Sequence, residues 1–335
     1  MVTSDSARVQ LWSASLRAAA RAPLLGAGPD SLEGALGPVK NDAFLASLGL
    51  STMAAHAHND LLQALATVGL LGLGAYLWLQ WALLRAARDA LVGHAGPAGP
   101  ERAEAAALAA ALAGLFVQMK LNAAPLPSLA LAAVFSGLLL PGSVSPGGRT
   151  AGADRRVARL LCVPLAAAVL LSLQLYRADA AFRRGTADRR AGQTLSAAQE
   201  FQRAAGRNPA NPEYWAAATD QLWTLSRLEP DAARRRGLVE GGVAAARTAA
   251  AWRPGAVEAH NLLGVWLLRL GRETGRQEPL AEAAAALDRA MALDVGSTVS
   301  RENARLVARG RGQSEREAAL GAELERLRRA GRRPP

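Results

Sequence analysis

The sequence has little of the chemistry that builds disulfide frameworks or metal sites. Its 335 residues contain one cysteine, Cys162, which lies within an apolar run. A single thiol cannot form a disulfide framework or supply a thiolate metal cluster. No grouping of carboxylates and histidines replaces it, so we expect no metal and no other cofactor.

The chain also lacks a recognisable secretion signal and a nucleic-acid-binding motif. Its first residues, MVTSDSARVQ, have no apolar stretch of the kind that a signal peptide requires. The formal net charge of +11 would suit a nucleic-acid partner. However, the basic residues are scattered, and no zinc-finger spacing, RNP motif or helix-turn-helix pattern accompanies them. We therefore predict no nucleic-acid partner.

Hydrophobic residues are abundant but unevenly placed. The mean hydropathy of +0.07 is high for a wholly soluble protein. Long apolar runs occupy roughly the first half, whereas the second half is rich in Ala and Arg with helical periodicity. The pattern predicts an all-α chain, with polytopic membrane helices followed by a soluble helical domain.

About four membrane spans are expected. The clearest is Leu61–Leu84, 24 residues without a charge, which as a helix would be about 36 Å long, enough to cross a membrane. Lys120 adjoins the second run, where we expect it to snorkel to the nearby surface. The three shorter candidates are Ala103–Met119, Leu126–Leu140 and Leu160–Leu175.

Loop charges predict the topology of these spans. Arg85, Arg88 and Arg102 follow the first span, and four more arginines between 149 and 159 precede the last. Since short cytoplasmic loops carry excess Lys and Arg, four crossings place both loops in the cytoplasm. Residues 1–57 and the C-terminal domain would then be periplasmic, in a multi-pass protein of the bacterial inner membrane. A segment upstream of residue 1 would have to bring the first loop there.

A loose helical repeat follows residue 190. Helices rich in small residues are interrupted at Asn208-Pro209, Arg253-Pro254 and Asp294-Val295. The pattern resembles tetratricopeptide repeats, with longer spacing than usual, and such repeats commonly bind a protein partner. The predicted domains are a loop at 1–57, transmembrane helices at 58–178, the repeat domain at 190–310, and a charged helix and tail at 311–335.

The most informative stretch is AHAHNDLLQALATVGLLGLG. Here His58-Asn59 is followed by nine residues and then by Gly69-Leu70-Leu71-Gly72. Upstream lie Arg8, four residues before Trp12, and the turn sequence Pro23–Pro29. These three motifs, in this order, resemble the O-antigen ligase and polymerase superfamily over about residues 4–140.

The resemblance implies an enzyme that transfers a glycan from a polyprenyl diphosphate to lipid A core, another glycan or a protein hydroxyl. His58 would be the catalytic base and Arg8 the main diphosphate contact, while Asn59, Arg17 and Arg21 are candidate substrate-binding residues. A histidine with a pKa of about 6.5 is partly neutral, and therefore basic, in the periplasm. A guanidinium binds phosphate oxygens through two hydrogen bonds. Asn59 could alternatively orient His58 or cap the next helix.

Each motif also has a plain structural interpretation. His58 could be a loop or helix-capping histidine, and Arg8 a solvated charge on an amphipathic helix, on which Leu11, Trp12, Leu16 and Ala19 would share a face. We interpret Gly69 and Gly72 as close-packing positions between membrane helices.

The chain departs from the superfamily in having only its last few spans. We therefore expect a C-terminal fragment or a degenerate protein, which would not transfer sugar at a useful rate by itself. Two other functions stay open: a non-catalytic membrane-anchored scaffold for envelope proteins, and an O-antigen or exopolysaccharide polymerase.

Overall fold

The computed structural model describes residues 5–50, 52, 54–93, 100–121, 131–132, 134–136 and 151–332. Two compact units divide the chain, one made of residues 1–148 with 329–335 and the other of residues 149–328. The described residues form helices and connecting turns without a strand, which confirms the all-α prediction. The α-helices are α1 (Asp5–Arg21), α2 (Leu32–Leu36), α3 (Asp42–Leu48), α4 (Asp60–Gly93), α5 (Pro100–Leu121), α6 (Ala151–Arg190), α7 (Thr194–Arg207), α8 (Pro212–Leu228), α9 (Ala232–Trp252), α10 (Val257–Thr274), α11 (Gln277–Leu293), α12 (Thr298–Gly310) and α13 (Ser314–Arg332).

Helix α1 is the centre of the first unit and packs against α2, α3 and α4. Its buried stripe follows the helical period through small residues and one leucine, which lets the neighbouring helices approach closely. Leu16 is 51% exposed, so the predicted face that included it is wrong. Five residues separate Leu11 from Leu16, which at 3.6 residues per turn turns the second side chain away. The stripe comprises Ala7, Leu11, Ala14, Ser15 and Ala18.

Helix α4 is broken at Gly69, whose φ of 68° and ψ of −168° are not helical. The break separates a first limb, residues 60–68, from a second limb, residues 70–93. The hydroxyl of Tyr76 donates a hydrogen bond to the carboxylate of Asp60, although the two residues would lie about 24 Å apart along a straight helix. The straight span predicted from Leu61 is therefore corrected, and the uninterrupted limb begins at Leu70.

The second limb of α4 packs against α5. Leu83 and Ala87 meet Leu108, Leu112 and Phe116 in one apolar cluster. Around the rest of its surface the limb exposes large apolar side chains, as a lipid-facing surface requires. They include Leu77, Trp78, Leu79, Trp81 and Leu84.

Within the described residues, one helix is long and apolar enough to cross a membrane, Asp60–Asp89, and Ala106–Lys120 forms a shorter apolar helix. The predicted run Leu126–Leu140 falls mostly outside the described residues. Leu160–Leu175 lies in α6, where the side chains of residues 151–165 and 168 are not described. The number of four spans stays a prediction.

The second unit is a succession of helices, each packed on the next along the chain from α6 to α12. Helices α7, α9 and α11 end at Arg207, Trp252 and Leu293, one residue before each interruption noted in the sequence. The predicted boundary near residue 178 falls inside α6. The core of the unit is formed by Trp266, Leu267 and Leu287, each nearly inaccessible to solvent, with Val239 and Val243 of α9 packed around them.

Candidate functional site

The break in α4 is filled by the turn at residues 23–28. An unbroken helix would join the N–H groups of Leu70 and Leu71 to the carbonyls of Ala66 and Thr67. In this structure four hydrogen bonds with the turn replace these two, so both N–H groups and both carbonyls keep a partner. The N–H groups of Leu70 and Leu71 donate to Pro23 O (2.8 Å) and Leu24 O (3.2 Å), and those of Ala27 and Gly28 donate to Ala66 O (3.0 Å) and Thr67 O (2.8 Å).

Two glycines allow this pairing. Gly26 and Gly69 both have positive φ, 69° and 68°, a conformation that costs other residues about 1–2 kcal/mol. A Cβ on Gly26 would lie 2.3 Å from the carbonyl carbon of Thr67, and one on Gly69 would lie 2.4 Å from that of Leu24. Gly69 thus packs closely against a turn of the adjoining loop. A Cβ on Gly72 would instead meet the side chain of Val68 in its own helix, at 2.3 Å.

His58 lies just before α4, and the residue that precedes it, Ala57, is held by hydrogen bonds from two elements. The indole N–H of Trp12 donates to Ala57 O at 3.0 Å, and the N–H of Ala57 donates to Gln63 Oε1 at 2.8 Å. His58 itself has a φ of 51°, a left-handed conformation that few residues with a side chain adopt. An unusual backbone conformation held by neighbours on two elements is typical of functional positions.

Asn59 caps α4. Its Oδ1 accepts the N–H groups of Leu61 at 3.0 Å and Leu62 at 3.1 Å. An asparagine in this position satisfies helix N–H groups that have no partner within the helix. Of the two structural alternatives for Asn59, this geometry supports the cap, and a contact with substrate stays a prediction.

Arg8 and His58 influence each other electrostatically. Partial burial lowers the pKa of His58 below its usual value, and the charges of Arg8 and His56 lower it further. Arg8 precedes Trp12 by four residues and so lies on the same side of α1, one turn away. Since Trp12 contacts Ala57, this side faces the segment that carries His58. Burial and the Arg8 charge therefore both favour the neutral imidazole, and Arg8 lies on the side of α1 that faces the segment of His58.

Arg17 and Arg21 are not brought to this position. Arg17 Nε donates to Val39 O at 3.1 Å, and its Nη1 donates to Ser13 Oγ at 2.7 Å. Nine residues separate Arg17 from Arg8, which places it about 13 Å along α1 and on the opposite side. Arg21 is exposed in the last turn of the same helix. Arg17 supports the turn at residues 37–39, and neither side chain converges with Arg8 on one ligand.

A second polar cluster was not expected from the sequence. Lys120 Nζ lies 2.7 Å from Asp60 Oδ2 and donates to Gln80 Oε1 at 3.3 Å. It also lies 5.3 Å from the centre of the Tyr76 ring. The lysine was expected to reach towards water, but its ammonium is instead paired with the carboxylate of Asp60. The proximity depends on the bend at Gly69, which helical periodicity does not predict.

Among the residues that the structure describes, no group of three or more His, Cys, Asp or Glu side chains is arranged to hold a metal ion.

The described residues define a helical protein with at least one apolar helix of membrane-spanning length. Directly before that helix lies a histidine whose pKa is lowered by burial and by the charge of an arginine. Residues 2–77 match the family described as O-Antigen ligase. The match supports a relationship of this segment to the O-antigen ligase superfamily. No curated protein matches the chain. Arg8, the 23–28 turn, His58 and Gly69 all lie within the matched segment, whereas Lys120 lies outside it.

Proposed function

We propose that this chain takes part in an O-antigen ligase-type glycosyl transfer, from a polyprenyl diphosphate-linked glycan to an acceptor hydroxyl. The observation that carries the proposal is the His58–Arg8 site. A partly buried imidazole, whose pKa is lowered by burial and by the charge of Arg8, lies at the start of an apolar helix and within the segment that matches the family.

In the proposed reaction the acceptor oxygen forms a bond to the anomeric carbon as the bond from that carbon to the diphosphate oxygen breaks. The acceptor proton passes to His58, which must be neutral to accept it. The polyprenyl diphosphate leaves with the bonding electron pair, and Arg8 stabilises its growing negative charge. Residues of the chain supply both groups, so the step needs no metal.

Placement of the site follows from the same proposal. Residues 1–57 and the C-terminal helices would be periplasmic, where lipid-linked glycans meet their acceptors. An exposed residue beside the site, Ala55, allows a direct test after Cys162→Ser removes the only native thiol. A membrane-impermeant maleimide should label Ala55→Cys in intact spheroplasts, and protection from the reagent until the membrane is lysed would contradict the proposed topology.

The C-terminal helices support a role in partner binding. Successive packing of α7 to α12 is the arrangement of repeat proteins, whose extended surfaces hold peptide segments. We propose that these helices are tetratricopeptide-like and bind a protein acceptor or an envelope partner. Lipid A core and a second glycan are the other acceptor classes.

The decisive experiment replaces His58 in the chromosomal gene of the source bacterium. His58→Ala should reduce the surface glycan on gels by about 10²–10⁴-fold, the usual contribution of a general base. His56→Ala is the matched control, because His56 is exposed two residues away and should leave most of the glycan.

Protein abundance in the membrane is compared in parallel by immunoblotting. If His58→Ala keeps normal glycan while deletion of residues 190–335 abolishes it, the chain acts as a scaffold and the catalytic proposal is wrong.

A further inference from the structure

Lys120 makes a specific, poorly solvated ion pair that ties α5 to the first turn of α4. The Lys120 and Asp60 side chains are only 28% and 12% exposed, with 2.7 Å between the charged atoms. Tyr76 donates to the same carboxylate oxygen. Gln80 accepts from the ammonium and is 9% exposed. Three side chains of one bent helix therefore surround a single cation from its neighbour.

Such a pair is not explained by stability alone. Removing two charges from water costs several kcal/mol, and apolar residues of similar size often pack as well or better. Ionisable side chains among membrane helices characteristically face the protein interior at functional positions. The location of this pair therefore points to a task beyond joining two helices.

Asp60 begins α4 directly after the cap Asn59 and two residues after His58. Whatever fixes the Asp60 side chain also fixes the turn that carries the imidazole. An uncompensated carboxylate here would also attract a proton to that imidazole. Besides burial, the charges that lower the pKa of His58 are those of Arg8 on α1 and His56 in its own loop. Asp60 follows His58 by two residues and is paired with Lys120.

We propose that Lys120 is a positioning residue for His58, holding the first turn of α4 through Asp60 and neutralising that carboxylate. The role of Lys120 in catalysis rests on the proposed function. Its effect on the pKa of His58 does not, and that pKa can be measured without turnover.

The test follows the titration of His58 by NMR in the full chain, labelled at histidine. The chain has four histidines, and single His→Gln substitutions assign their signals. Lys120→Met should raise the pKa of His58, because the Asp60 charge is no longer neutralised. Asp60→Asn should lower the pKa of His58, because the positive charge of Lys120 is then no longer neutralised and disfavours the imidazolium. The pair Asp60→Asn with Lys120→Met should return it close to the original value, and Lys120→Arg should leave it unchanged.

The same variants are compared for surface glycan. Lys120→Met should reduce the surface glycan on the order of 10–100-fold, the effect of a small misplacement of a catalytic group. The double variant should recover the glycan, and Lys120→Arg should keep it near normal.

A His58 pKa that moves in neither single variant would overturn the inference, whatever the glycan does. If Lys120→Met does not accumulate, the His58 pKa in Asp60→Asn alone tests the inference. Normal glycan in His58→Ala would instead refute the proposed function and leave the titration result standing, so the two failures can be told apart.

Discussion

The two units of this chain hold their helices together in different ways. In residues 149–328 each helix packs mainly on its neighbour in the sequence. In the first unit the decisive contacts join distant segments. Trp12 donates to Ala57, the 23–28 turn bonds to residues 66–71, and Lys120 reaches Asp60. The regular unit can therefore tolerate a local change, whereas the candidate site depends on several remote contacts at once.

The largest expected effect comes from separating Arg8 from His58. Arg8→Gln removes the cation proposed to stabilise the diphosphate, so transfer should fall on the order of 10²–10³-fold. The pKa of His58 should also rise, because the Arg8 charge lowers it, although burial and His56 still keep it below the ordinary value. His58 accepts a proton only when it is neutral. As the pH is lowered, any residual transfer by Arg8→Gln should therefore decline at a higher pH than transfer by the natural chain.

Histidine NMR and a pH series of glycan transfer measure these two effects. Arg21→Gln is the matched control, as that arginine is exposed at the far end of α1. An unchanged His58 titration in Arg8→Gln would show that the two side chains do not interact.

The next effect tests the backbone pairing at the break. Gly69→Ala should destabilise the first unit by about 3 kcal/mol, from a positive φ and a collision with the Leu24 backbone. Gly74→Ala in the same helix meets nothing within 4 Å and should be neutral or slightly stabilising. Thermal unfolding in detergent, with surface glycan as the second readout, distinguishes the two. Equal stability of both variants would contradict the described bend.

The smallest effect tests the regular unit. A Cβ on Gly242 would lie 2.4 Å from the ring of Trp266, which is buried and cannot move aside, so Gly242→Ala should cost about 1–3 kcal/mol. Gly241→Ala has open space around it and should gain up to about 1 kcal/mol of helix propensity. We expect Gly242→Ala to leave the His58 titration unchanged, which would show that a change in the second unit does not affect the site in the first. A shifted titration would show that the two units are coupled.

Sequence patterns predicted the regular unit better than the site. Breaks at Pro209, Pro254 and Val295 follow helix ends in the structure because proline and turn residues stop helices locally. In the first unit the motifs around His58 and Gly69 were recognisable, but their contacts were not. The run without charged residues suggested one straight helix from Leu61. Only the structure shows that the helix bends at Gly69, around the 23–28 turn more than 40 residues earlier in the chain.

The sequence alone determined the helical class, an apolar segment of membrane-spanning length and the motif that contains His58, because composition, period and short spacing are local properties. Tertiary structure decided that the side of α1 carrying Arg8 faces the segment of His58 while Arg17 turns to Val39, and that Lys120 pairs with Asp60. These outcomes depend on which side of a helix meets a distant segment, which a local pattern does not contain.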